Sequence, residues 1–98
     1  MTLPDTPLEP AAAPTEPRAA RIKRLHMRSM RRGTKEMDLI LMRFAAARLE
    51  AMADPALAAY DALLRENDQD LYQWVTGQVA PPAPHAALVS DIRGLIGT

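Results

Sequence analysis

Residues 34–53 read TKEMDLILMRFAAARLEAMA. Met37, Ile40, Leu41, Phe44, Ala45 and Leu49 recur at spacings of three and four, which places them on one broad face of an α-helix. The intervening positions are rich in Ala, Leu, Met and Glu, residues that lose little freedom in helical backbone. This segment predicts a helix with a wide apolar stripe, and it is the spine on which the rest must pack.

The same period continues on both sides. Upstream, from Ala19 to Met30, Ile22, Leu25, His26 and Ser29 share a face with Met27 and Met30 alongside, and Gly33 ends this helix or joins it to the next. Downstream, Asp54-Pro55 is a start signal, with Asp54 expected as the N-cap and Pro55 as the first helical residue. Leu57, Tyr60, Leu63 and Leu64 form the inner face of that third helix. Asn67 and Asp68 are expected to cap a fourth, which carries Leu71, Tyr72, Trp74 and Val75 and stops at Gly77. Pro81-Pro82-Ala83-Pro84 is a connector. A fifth helix runs over residues 85–93, with Leu88, Val89 and Ile92 inward and Gly94 closing it. No stretch alternates in the manner of a strand. The expected fold is all-α, a compact five-helix bundle.

Five of the nine prolines lie in residues 1–17, MTLPDTPLEPAAAPTEP, with no aromatic residue. Repeated proline fixes φ and removes donors, so this segment reads as a disordered tail and residues 18–98 as a single domain. A domain of that size buries only roughly 60% of its unfolded surface, which leaves little room for an enclosed active site. The chain has no cysteine, which excludes disulfides and thiolate chemistry. It has no apolar run long enough to span a membrane. The expected setting is cytoplasmic, or the mitochondrial matrix if a presequence has been removed.

The formal net charge is zero, but the charges are segregated. Residues 18–35 hold eight of the twelve bases and no acid, whereas residues 50–70 hold six acids and the single base Arg65. Such polarity points to a charged partner or to two halves that face each other. Catalytic signatures are missing. His26 and His85 are far apart in sequence and read as surface or edge residues. Ser29 and Ser90 lie in no nucleophile-elbow pattern, and the glycines form no phosphate loop. Trp74 reads as core and Tyr72 as rim.

One charged stretch, RRGTKEMD at 31–38, asks for more than a turn. Glycine lacks Cβ, so it serves where the chain bends or where another backbone must come close. Glu36 and Asp38 fall in the first turn of the next helix, where negative charge suits the helix dipole. The residues alone give a charged, closely approachable knuckle.

RSMRRGTKEMDLILMRF resembles the hallmark of the SdhE family, the flavin-assembly factors of succinate dehydrogenase, whose RGxxE motif opens a long apolar helix. Arg32, Gly33 and Glu36 match that motif, with Met37 and Asp38 following. DQDLYQWVTG at 68–77 is similar to the family's second landmark, an acidic turn followed by Leu, an aromatic and Trp. The likeness covers roughly residues 20–94, and Thr34 replaces the hydrophobic residue common there. It implies an assembly factor, not an enzyme, that binds the flavoprotein subunit of succinate dehydrogenase, with fumarate reductase as a further client. It would promote autocatalytic attachment of FAD to a histidine of that subunit. The FAD would belong to the partner, and the factor itself would carry no cofactor and act as a monomer. Partner binding would fall to Arg32, Gly33, Glu36 and Asp38, extended by Arg31, Lys35 and Arg28. The rival expectations are a nucleic-acid-binding protein that uses the bases of residues 18–35, and an antitoxin-like regulatory module.

Overall fold

A computed structural model of the chain describes residues 16–30 and 33–96, and five helices account for most of them. They are α1 (Arg18–Ser29), α2 (Lys35–Arg48), α3 (Asp54–Leu63), α4 (Asp68–Val75) and α5 (Ala86–Ile96). Single 3-10 turns at Leu49–Ala51 and Ala83–His85 complete the path, and no strand occurs among the described residues. α2 lies at the centre, packing on α1, α4 and α5, while α5 also packs on α4.

Most of the stripe read from the sequence is buried, and Ile40 is partly so. Met37, Leu41, Phe44, Ala45 and Leu49 of the spine are all inside, joined by Ile22 and Leu25 of α1 and Leu57, Tyr60, Leu63 and Leu64 from α3 and its end. Leu71, Trp74 and Val75 of α4 and Leu88, Val89 and Ile92 of α5 close the same core. The Phe44 and Tyr60 rings meet at a centroid distance of 5.4 Å with their planes tilted by 40°. Each such side chain stabilises the fold by about 1.5–3 kcal/mol relative to exposure. Tyr72 sits at the rim, as its polar neighbours suggest.

Three local expectations are corrected. Asp54 is not the cap of α3. Ala53 occupies that position with extended backbone, its carbonyl accepting from Leu57 N–H, and Asp54 is already in the helix. The Asp54 carboxylate turns instead to Arg18, 3.3 Å away, while Arg18 also donates to the carbonyls of Glu50 (3.0 Å) and Met52 (2.8 Å). That arginine thus satisfies groups left over where the spine helix ends. Gly94 does not close α5. The helix continues to Ile96 because Leu95 and Ile96 still have core to pack against. His85 is not a surface residue either, as described below.

Gly77 does stop α4. Its φ of +82° is a conformation that side chains resist, and the following Gln78 N–H returns to the Gln73 carbonyl at 2.8 Å. A Cβ there would also meet Arg93 Nη2 at 2.7 Å. Of the proposed tail, residues 1–15 lie outside the described residues, and Pro17 forms the N-terminal boundary of α1.

Candidate partner-docking face

α2 begins on Thr34, whose hydroxyl oxygen accepts from Met37 N–H at 3.3 Å. This cap fixes the direction of the first helical turn. Lys35 and Glu36 are exposed on that turn, and Asp38 is half-buried one residue beyond the buried Met37. Gly33, also exposed, precedes the cap with a negative φ, so its backbone makes no demand for glycine. The demand is one of space. A Cβ at Gly33 would lie 3.0 Å from Asp68 Oδ2, the atom that accepts from Gly33 N–H at 2.5 Å. The knuckle is therefore tied to the first turn of α4.

Between these two helix starts runs an open groove of about 550 Å³, lined by Thr34 and Glu36 on one side and by Asp68, Asp70, Tyr72 and Gln73 on the other, with Gln69 and Gln78 completing it. Glu36 stands at its lip. Apart from Tyr72, which the sequence places at the rim among polar neighbours, the α4 residues are not apparent from the sequence as part of the site. Their signal in the sequence is the acidic run at 68–70, which the fold sets opposite the glycine knuckle. Arg31 and Arg32, expected at the same face, lie outside the described residues.

Arg28, expected to extend the docking face, is half-buried and engaged within the fold. Its guanidinium donates to Asp61 of α3, and Arg24 donates to the same carboxylate at 3.0 and 3.4 Å. Arg24 also donates to both oxygens of Glu16, at 2.8 and 3.0 Å, and Arg21 lies 3.7 Å from Glu16. Asp61 is only 7% exposed. Burial works to raise its pKa, but the Arg24 hydrogen bond and the Arg24 and Arg28 charges outweigh that and hold it below the ordinary value. Glu16 is likewise lowered, chiefly by its hydrogen bond to Arg24, and Arg24 is raised in return.

Arg18, Arg21, Arg24 and Arg28 are thus all paired with acids. Arg18, Arg24 and Arg28 meet acids of α3 across the bundle, which takes three of the eight bases of residues 18–35 out of the phosphate-binding stripe that a nucleic-acid reading requires.

His85 is enclosed, with its Nε2 2.9 Å from Glu66 Oε2 and its ring 5.7 Å from that of Trp74. His26 sits at an edge. Among the described residues, no group of three His, Asp or Glu side chains is arranged to hold a metal ion.

The family described as "flavinator of succinate dehydrogenase" matches residues 23–96, which include both the knuckle and α4. The chain belongs to this flavinator family. Curated relatives agree with the assignment. The chain is 42% identical over 69 residues to "succinate dehydrogenase assembly factor 2, mitochondrial" of Meyerozyma guilliermondii, a match covering 70% of this chain and 51% of the relative. It is 40% identical over 63 residues to "FAD assembly factor SdhE" of Legionella pneumophila, covering 64% of this chain and 80% of that protein. A Drosophila erecta assembly factor is 36% identical over 98 residues, covering 98% of this chain and 56% of the relative. The chain therefore spans about half the length of these mitochondrial members of the flavinator family and most of the bacterial one. No helix among the described residues is long and apolar enough to cross a membrane.

Proposed function

We propose that this chain is an assembly factor that docks on the flavoprotein subunit of succinate dehydrogenase and promotes covalent attachment of FAD to it. The observation that carries the reading is the knuckle itself. Gly33 and Glu36 are exposed at the start of the central helix, beside an open groove of about 550 Å³. The family's description, a flavinator of succinate dehydrogenase, supports that enzyme as the partner.

The chemistry belongs to the partner, whose own histidine joins the flavin. The factor acts by holding that subunit in a geometry where histidine and flavin meet, a gain of the proximity kind. Gly33 admits partner backbone without a side chain in the way. Glu36, with Asp38 and Lys35 on the same first turns and Arg31 and Arg32 just upstream, offers charge-assisted hydrogen bonds that fix the register. FAD is held by the partner and not by this chain, the factor works as a monomer, and fumarate reductase is a second client.

Reconstitution tests the reading. Purified flavoprotein subunit lacking covalent flavin is incubated with FAD, with and without this chain, and flavin surviving denaturation is measured. Faster or more complete attachment with the chain supports the proposal. Equal attachment in both samples, together with no detectable binding, removes it.

A further inference from the structure

The end of α1 and the knuckle are joined to α3 and α4 by a run of polar ties. Arg24 and Arg28 meet Asp61 of α3. Ser29 donates to the Leu25 carbonyl at 2.7 Å, which leaves the Tyr60 hydroxyl of α3 to donate to Ser29 Oγ at 2.6 Å. Gly33 N–H then meets Asp68 of α4. Ser29 and Tyr60 are fully buried. Apolar contact is non-directional and would let α1 slide or roll against α3. These ties oppose such movement at the end of α1, close in sequence to the residues proposed to dock.

A buried ion cluster is a weak source of stability, since well-packed apolar residues often serve as well, and its best-attested use is to specify one register. We propose that Tyr60 and Asp61 are positioning residues of the docking face. Without touching the partner, they hold the end of α1 so that Gly33 and Glu36 are presented in one orientation before docking. This inference rests on the docking function proposed above. Pre-organisation of this kind raises affinity by removing an ordering cost from the binding step.

Tyr60→Phe removes one hydroxyl and keeps the ring against Phe44, and Asp61→Asn removes the charge. Ile92→Val, in the core on α5, serves as a control that loosens the fold away from the docking face. Binding to the purified flavoprotein subunit is measured by calorimetry at a temperature where circular dichroism shows every variant folded. Amide exchange of Gly33 and Met37 is followed in parallel. The expected result is binding weakened roughly tenfold in Tyr60→Phe and Asp61→Asn, faster exchange at Gly33 and Met37, and unchanged affinity in Ile92→Val.

If Glu36→Ala loses binding while Tyr60→Phe and Asp61→Asn bind like the wild type, the positioning role is refuted and docking stands. If all three core variants weaken binding alike, the ties are merely structural and the inference also fails. If the wild type itself does not bind, the docking function falls and this inference with it. Should Tyr60→Phe not fold, Ser29→Ala breaks the same hydrogen bond from the other side.

Discussion

The backbone N–H of Gly33 donates to the Asp68 carboxylate across 35 positions of sequence, at 2.5 Å. One contact thereby joins the two segments that resemble the family's landmarks. It also places any side chain at position 33 against the carboxylate it depends on. Gly33→Ala has a permitted φ and displaces only a flexible carboxylate, so it should cost at most about 1 kcal/mol of stability. Gly33→Leu should keep the helical circular dichroism spectrum yet abolish binding to the flavoprotein subunit. Collapse of the fold in Gly33→Leu would instead make the glycine a purely structural requirement.

Glu36 separates fold from function more sharply. It is exposed in the first turn of α2, where a carboxylate gains at most about 1 kcal/mol from the helix dipole. Glu36→Ala should therefore shift the thermal midpoint by only a few degrees. At a docking interface, truncating a central charged contact costs about 2 kcal/mol or more, so affinity should fall at least ~30-fold. Calorimetric titration beside a thermal melt reads both quantities.

Asp61 should show the opposite profile in stability. Asp61→Asn leaves Arg24 and Arg28 facing a neutral amide in a mostly enclosed site, at a cost of about 2–3 kcal/mol. The acid limb follows from the same contacts. Asp61 and Glu16 are held below their ordinary values of 3.8 and 4.5. Their contribution is complete above those values and is lost as pH falls through the lowered native ones. Urea unfolding from pH 7 down to pH 3 should show wild-type stability declining below about pH 4.5. The decline should be shallower in Asp61→Asn, and equal slopes would show that the cluster does not govern acid stability.

His85 lies between Glu66 and Trp74, and Trp74 is the only tryptophan. His85→Ala removes a buried ring and its hydrogen bond, and should lower stability by about 1–3 kcal/mol. It should also change the fluorescence of Trp74 in the native state. An unaltered emission spectrum would contradict the enclosed placement of the ring.

The helices were legible because their apolar positions repeat at three and four, and that period does not depend on what they pack against. Met37, Leu41, Phe44 and Leu49 are an example. The helix ends were less legible. Asp54 looks like a cap, yet the helix opens one residue earlier on Ala53 and Asp54 pairs with Arg18, 36 positions away. Gly94 looks like a terminator until Leu95 and Ile96 are given core to cover. His85 has no sequence neighbour that would reveal Glu66 beside it. Charge segregation was visible, but which acid meets which base is a product of helix packing. The knuckle at Gly33 and Glu36 could be read from the motif. Its groove could not, because Asp70, Tyr72 and Gln73 come from a different helix.

The central claim is that the face around Gly33 and Glu36 promotes attachment of FAD to a flavoprotein subunit. In-gel flavin fluorescence of that subunit, from denatured extracts of cells with and without the gene, tests it most directly, because only covalently bound flavin stays with the band. The account predicts a dim band without the gene, restored by the wild type and not by Glu36→Ala. Equal brightness in every strain would contradict it.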